Sequence, residues 1–280
     1  MKIIFAKHIG FCTGVKRALN IAKSSLKNDP KPVYFLGPLI HNELVIEKIE
    51  KLGGKVVDDF KKIKNGTLVL RAHGEILPEK FLAETKIKIK DATCPLVKKA
   101  QNSALYLKKL GYQVVIIGDL NHPEVEGIKK AVQKKAILIQ NPEEAKKLPK
   151  MEKIGVVSQT TQELENVESI LKILKKKTKN LKFIDTLCPE VKARQKELKE
   201  IFEKADSILV IGSKTSANTK RLVVLSQKAK KKVWWANSLK EVKEIDFKGI
   251  RKLGVISGTS APDWEIKKIK NYLFKKYGRN

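Results

Sequence analysis

The chain has few cysteines and few aromatic residues for its size. Its 280 residues include three cysteines, and aromatic residues make up 6% of the sequence. Three widely separated cysteines, an odd number, exclude the disulfide framework of a small secreted domain and favour metal binding or thiol chemistry. No apolar run approaches the ~20 residues of a membrane span, and the amino-terminal Lys2-Ile-Ile-Phe5 favours a strand rather than a signal peptide. We therefore expect a cytoplasmic protein.

Positive charge, by contrast, is abundant. The sequence has 59 Lys and Arg against 30 Asp and Glu, which gives a formal net charge of +29. Such a charge would suit a nucleic acid, a membrane surface or an acidic partner. Nearly all of it is lysine, however, whereas nucleic-acid surfaces usually combine arginine forks with exposed aromatic rings. We interpret most of the charge as a solvated, lysine-rich surface.

The motif Cys-x-x-Val-Lys occurs three times, beginning at Cys12, Cys94 and Cys188. Each copy follows a strand-like run and precedes an amphipathic helical pattern. These helical patterns cover residues 15–26, 97–110 and 191–205. Each thiol is therefore predicted at a strand-to-helix turn, where the helix dipole favours a thiolate. The three copies indicate a threefold internal repeat.

Matched polar residues accompany the cysteines. In each unit a strand ends in glycine, and the residue four positions later is His41, His122 or Ser216. A later strand of each unit ends in a loop with a second polar residue, and these residues are His73, Thr160 and Ser260, equivalent within one position.

Strands that alternate with helices predict parallel α/β units, whose ligands bind beyond the carboxyl ends of the strands. Three such units most simply surround a common centre. We predict an α/β fold of three similar domains in a pseudo-threefold (trefoil) arrangement. The domains cover residues 13–94, 95–187 and 188–280, and residues 1–12 form an amino-terminal strand and loop that carries the first cysteine.

Three thiolates from three units suit a metal site with one open coordination position. Zinc with a bound water is one candidate. An iron–sulfur cluster suits all-sulfur ligation better, because three protein ligands on four irons leave one iron free for substrate. The repeated context argues against three ordinary buried cysteines.

The polar residues suit a phosphate and a proton transfer. His41, His73 and His122 lie in strand-end loops together with the donors Thr160, Ser216, Asn218 and Ser260. Such donors, with amides at helix starts, can hold a phosphate. Glu124, in the segment His122-Pro-Glu124, is the carboxyl group best placed to deliver a proton.

Several motifs together make the sequence closely similar to the 4-hydroxy-3-methylbut-2-enyl diphosphate reductase family. They span nearly the whole chain, at residues 10–17, 37–42, 72–74, 92–97, 122–125, 159–161, 216–218 and 258–262. The resemblance implies a [4Fe–4S] cluster on Cys12, Cys94 and Cys188, with one open iron. It implies that the hydroxyl of an allylic diphosphate is removed with two electrons and two protons, which gives isopentenyl and dimethylallyl diphosphate. Reduced ferredoxin or flavodoxin would supply the electrons, and part of the positive charge would steer such an acidic carrier.

The resemblance also implies residue roles. The diphosphate-binding residues would be His41, His73, Ser216, Asn218 and Ser260. His122 and Thr160 would lie close to the substrate as catalytic residues, and Glu124 would be the proton source. Three positions depart from the usual family pattern: Ala217 lacks a hydroxyl, Val191 replaces a Thr, and Glu75 stands where an apolar residue is usual.

Two other functions remain open from the sequence. A zinc-dependent hydrolase would use the same three cysteines with Glu124 as base. A basic nucleic-acid-binding protein would account for the charge, but it would leave the threefold repeat unexplained.

Overall fold

The computed structural model describes residues 1–278. In this part of the chain all strand pairs are parallel, and the strands form three four-stranded sheets. Helices connect the strands throughout. The predicted α/β class is confirmed.

The first sheet has the strand order β3-β2-β4-β5. Its strands are β2 (Val33–Leu36), β3 (Gly54–Val57), β4 (Thr67–Leu70) and β5 (Lys88–Asp91). The chain before and between these strands forms α1 (Thr13–Asn28), α2 (Glu43–Lys51), a 3₁₀ turn (Phe60–Lys62) and α3 (Glu79–Glu84). All four residues of β4 are buried, as expected for an inner strand of a parallel sheet.

The second sheet has the strand order β7-β6-β8-β9. Its strands are β6 (Gln113–Ile117), β7 (Ala136–Ile139), β8 (Lys153–Ser158) and β9 (Asn180–Phe183). The accompanying helices are α4 (Pro95–Lys109), α5 (Pro123–Ala131), α6 (Pro142–Lys147) and α7 (Leu164–Leu174). Leu107 of α4 and Ile128 of α5 are fully buried against Val114 and Ile116 of β6, so these two helices share one core with the sheet.

The third sheet has the strand order β1-β12-β10-β11. Its strands are β1 (Lys2–Phe5), β10 (Ser207–Ile211), β11 (Lys232–Ala236) and β12 (Lys252–Ser257). The helices are α8 (Pro189–Phe202), α9 (Ala217–Lys228), α10 (Leu239–Lys243) and α11 (Asp263–Tyr277). The amino-terminal strand β1 is thus the edge strand of the last sheet, paired with β12 in the register Ile3 to Leu253.

The three sheets have one topology. In each, the strand that precedes a cysteine (β1, β5 or β9) is an edge strand beside the strand that leads into the second polar loop (β12, β4 or β8). One glycine in each sheet, directly after β2, β6 or β10, makes the same backbone hydrogen bond. Gly37, Gly118 and Gly212 donate their amide hydrogens to the carbonyl oxygens of Val57, Ile139 and Ala236, respectively. The threefold repeat is confirmed as three parallel-sheet units.

By contacts, the chain divides more coarsely into two compact units. One unit contains residues 1–16, 40–48 and the described chain from Pro189 onward, and the other contains residues 17–39 and 49–188. The predicted domain boundaries at 94/95 and 187/188 stay a prediction. Within residues 1–278 no helix is both long and apolar enough to cross a membrane.

Candidate active site

The backbone amide of each cysteine makes a hydrogen bond of the same kind. The amides of Cys12, Cys94 and Cys188 donate to the carbonyl oxygens of Thr259 (3.1 Å), Ala72 (3.0 Å) and Thr160 (2.9 Å), respectively. Each acceptor lies in the loop after the strand next to the cysteine's own strand. By these bonds Thr160 corresponds to Ala72 and Thr259. It therefore lies one position before the residue that corresponds to His73 and Ser260. The predicted equivalence within one position is confirmed.

All three cysteines lie at helix starts and are partly buried. The Cys12 Sγ accepts the amide hydrogen of Val15 at 3.4 Å, and Cys94 is the N-cap residue of α4. The helices begin directly after the cysteines, two residues earlier than the apolar pattern predicts. In α4 and α8 the first helical residue is Pro95 or Pro189, whose φ is already suited to a helix.

A helix amino terminus favours negative charge, so three thiolates at such positions are a suitable donor set for a metal or cluster. Within residues 1–278 no group of three or more His, Cys, Asp or Glu side chains is itself arranged to hold a metal ion. The fit of the cysteines to an iron–sulfur cluster therefore depends on their chemistry and on their matched backbone positions.

The aspartate that recurs three residues before the second and third cysteines has a local structural role. Asp91 Oδ1 accepts the amide hydrogen of Thr93 at 2.8 Å, and Asp185 Oδ1 accepts that of Leu187 at 3.0 Å. An Asp that bonds the backbone two residues on forms a tight turn. Burial alone would raise the pKa of Asp91, but hydrogen bonds from Lys98 and Thr93 outweigh it and lower the pKa below its usual value. The carboxylate is therefore ionised and shapes the turn into Cys94.

Glu124 is the most enclosed carboxyl group of the predicted site, with 1% of its surface exposed. It stands in the first turn of α5. Its Oε1 accepts the amide hydrogen of Thr160 at 2.6 Å, and its Oε2 accepts the Thr160 hydroxyl at 2.9 Å. The structure thus brings together the predicted proton source and the predicted catalytic threonine.

His122 caps the same helix. Its Nδ1 accepts the amide hydrogen of Glu124 at 3.2 Å, so in the neutral ring Nε2 carries the proton and can donate it. The rings of His122 and His73 meet edge to face, with centroids 5.8 Å apart and planes at 75°. Two predicted substrate-binding histidines are therefore neighbours in the compact unit of residues 17–39 and 49–188.

The other compact unit holds the remaining predicted phosphate ligands. The hydroxyl of Ser260 donates to the carbonyl oxygen of His41 at 3.2 Å. Ser216 is the N-cap of α9 and accepts the amide hydrogen of Thr219 at 3.4 Å. Asn218, in the first turn of α9, is 2% exposed, and within the described chain neither amide atom of its side chain has a hydrogen-bond partner. Buried polar groups are normally paired, so this amide is suited to a ligand.

The sequence did not indicate the network that supports the His41 segment. The carboxylate of Glu43 accepts hydrogen bonds from the Ser213 hydroxyl at 2.7 Å and the Asn237 amide at 2.9 Å. Asn237 in turn accepts one from Asn42 at 2.9 Å. Glu43 and Asn42 were visible beside His41, but Ser213 and Asn237 carry no repeat signal.

Arg194 was also missed. This residue of α8 is 2% exposed, and its guanidinium donates to the carbonyl oxygens of Gly10 at 2.8 Å and Ser257 at 2.9 Å. Gly10 has a φ of +84° and lies two residues before Cys12. Arg194 therefore fixes the loop that leads into the first cysteine.

Comparison with known proteins agrees with this architecture. A family model described as "LytB protein" matches residues 3–274. The 4-hydroxy-3-methylbut-2-enyl diphosphate reductase of Trichlorobacter lovleyi is 38% identical over 98% of both chains, and that of Dictyoglomus thermophilum is 39% identical over 99% of this chain and 98% of its own. The solved structure of the E-1-hydroxy-2-methyl-but-2-enyl-4-diphosphate reductase from Plasmodium falciparum is 30% identical, with a TM-score of 0.91 over 99% of this chain and 89% of that one. This chain belongs to the LytB protein family.

Proposed function

We propose that this chain is a 4-hydroxy-3-methylbut-2-enyl diphosphate reductase. It removes the hydroxyl of its substrate as water, with two electrons and two protons, and gives isopentenyl and dimethylallyl diphosphate. One structural observation carries the proposal beyond family membership: the buried Glu124 carboxyl is bonded through both oxygens to Thr160. The carbonyl oxygen of the same threonine accepts a hydrogen bond from the amide of Cys188. Thr160 therefore connects the proposed acid to a proposed thiol ligand.

We propose Cys12, Cys94 and Cys188 as the ligands of a [4Fe–4S] cluster with one open iron. When bound, such a cluster supplies electrons and a Lewis-acidic iron for the leaving oxygen. The matched helix-start positions of the three thiols support this assignment.

The diphosphate is assigned to His41, His73, Ser216, Asn218 and Ser260. The buried Asn218 amide gains partners when an anion binds, and the amino terminus of α9 favours negative charge. Binding the diphosphate away from the reacting carbon orients the alcohol and contributes binding energy.

Glu124 supplies one of the two protons that the reaction consumes. The Thr160 hydroxyl, which donates to Glu124 and can also accept, offers a route for that proton. His122 stands at the start of the same helix, where its Nδ1 accepts the amide hydrogen of Glu124. One proton leaves in the water that is formed, and the other is added to the allylic carbon skeleton.

The proposed electron donor is reduced ferredoxin or flavodoxin. These carriers are acidic, and a net charge of +29 favours their approach. Cluster ligation by thiolates requires reduced cysteines, which supports a cytoplasmic location.

The deciding experiment starts with protein purified without oxygen. We expect a brown protein with about four irons per chain, whose visible spectrum changes when 4-hydroxy-3-methylbut-2-enyl diphosphate is added. With dithionite and methyl viologen as reductants it should form both five-carbon diphosphates. Stoichiometric zinc without iron would select the hydrolase, and salt-dependent retention on nucleic acid without a chromophore would select the nucleic-acid-binding protein.

A further inference from the structure

Glu75 joins the loop that carries His73 to the helix that carries Glu124. It lies two residues after His73, and 12% of its side chain is exposed. Its Oε2 accepts a hydrogen bond from Arg71 at 2.7 Å, and its Oε1 is bonded to Lys130. Arg71 follows β4 directly, whereas Lys130 lies in the last turn of α5. One carboxylate therefore connects the two segments.

The backbone of the His73 loop packs directly on α5. A Cβ placed on Gly127 of α5 would lie 3.0 Å from the carbonyl oxygen of Gly74 and 2.8 Å from Nε2 of Gln101. Gly74 has a φ of +78°, and a Cβ there would lie 2.7 Å from the same Gln101 nitrogen. The two glycines thus allow the loop and the helix to approach closely, with the Gln101 side-chain amide against both.

The partners of Glu75 stabilise its ionised carboxylate. Burial alone would raise the pKa of Glu75, but hydrogen bonds from Lys130 and Arg71 outweigh this effect and lower the pKa below its usual value. Glu75 is therefore ionised at neutral pH. The Glu75 side chain is mostly buried, so loss of a cationic partner leaves its charge poorly compensated, and the bond to Lys130 holds the two segments at one spacing.

We propose that Glu75 is a positioning residue for the reductase reaction: its bond to Lys130 sets the spacing of His73 relative to His122 and Glu124. The inference rests on the proposed function, in which His73 holds the diphosphate end of the substrate and Glu124 acts at the reacting end. A substrate held by both ends is sensitive to the distance between them, and small misplacements of reacting groups reduce rates strongly.

The test is Glu75→Gln, which keeps the size of the side chain and removes its charge. Calorimetric titration of the variant with inorganic diphosphate and with the hydroxylated substrate should show an affinity for substrate about 10-fold weaker. The affinity for inorganic diphosphate, which does not reach Glu124, should change less. The iron content should stay at the wild-type level.

Lys130→Met tests the same bond from a side chain that is 44% exposed. It should also weaken substrate binding, and the double variant should be no worse than Glu75→Gln alone, since the charge pair with Lys130 is already lost in that variant together with the pair to Arg71. Glu143→Gln is the matched control. It removes the exposed pair of Glu143 with Lys146 in the same unit and should leave substrate binding unchanged.

Unchanged substrate affinity in both Glu75→Gln and Lys130→Met, with only a lower melting temperature, would overturn the inference and make Glu75 purely structural. If Glu75→Gln does not fold, unchanged affinity in Lys130→Met alone has the same meaning. Failure of the wild-type protein to bind or reduce the substrate would instead remove the proposed function, and the inference with it.

Discussion

Thr160 donates its amide to one oxygen of Glu124 at 2.6 Å and its hydroxyl to the other at 2.9 Å. The two bonds have different consequences. The amide bond fixes the carboxyl group and survives any substitution of the Thr160 side chain other than proline. The hydroxyl bond is the one through which a proton can move.

Thr160→Val should therefore separate the two bonds. It keeps the amide bond and the shape of the side chain but removes the hydroxyl, so we expect turnover to fall about 10- to 100-fold. Thr160→Ser keeps the hydroxyl and should stay within a few-fold of wild type. Steady-state turnover with dithionite and methyl viologen measures both. Equal turnover of Thr160→Val and wild type would remove the hydroxyl from the proton route.

Glu124→Gln should abolish proton delivery while it keeps the size of the side chain. We expect the cluster and most of the substrate affinity to remain, and turnover to fall by about 100-fold or more. Iron content, substrate titration and turnover on one preparation measure these three properties. Turnover at the wild-type level would show that Glu124 is not the acid.

Cys94→Ser should remove one cluster ligand. Because Cys94 caps α4 and its amide bond to Ala72 does not involve the thiol, the fold should persist while bound iron and visible absorbance are lost. Iron analysis and far-ultraviolet circular dichroism distinguish cluster loss from unfolding. A variant with full iron content and activity would exclude Cys94 as a ligand.

Asn218→Ala should weaken substrate binding about 10-fold without a matching loss of stability. The side chain amide makes no hydrogen bond within residues 1–278, so its removal should lower the free energy of unfolding by no more than about 1 kcal/mol. Asn42→Ala is the comparison for stability. Asn42 is fully buried but bonded to Asn237 and Leu44, and its loss should cost about 1–3 kcal/mol. Equal losses in the two variants would mean that Asn218 is paired in solution.

Glu190 should make stability depend on acid pH. It accepts the amide of Thr13 at 2.9 Å and its hydroxyl at 2.7 Å. Burial would raise the pKa of Glu190, but these bonds outweigh burial and lower the pKa below its usual value. A carboxyl group whose pKa is lowered by folding stabilises the fold at pH values above its pKa in the unfolded state. This contribution is lost as the pH falls through the lowered pKa of the folded state. The difference in unfolding free energy between wild type and Glu190→Gln should therefore shrink between pH 6 and pH 3. A difference that does not vary with pH would contradict this assignment.

The sequence predicted the repeat and its matched positions because they depend on local patterns. Cysteines before helices, glycines at strand ends and polar residues in loops all leave a signal within a few residues. Apolar periodicity predicts the starts of α4 and α8 two residues late, because it begins at Val97 and Val191 whereas proline starts each helix earlier. Arg194 and Asn237 left no such signal. Their partners, Gly10 and Glu43, lie far away along the chain, and only folding brings them together.

The position of β1 at the edge of the third sheet affects how the protein can be made. During synthesis β1 emerges before the other described strands, but its partner β12 emerges after all of them. The first two sheets draw all their strands from consecutive sequence and can form earlier. The third sheet must wait, and until then the segment before Cys12 has no strand to pair with. Deletion of the first few residues would therefore damage the last-formed sheet, although the missing residues belong to the opposite end of the sequence.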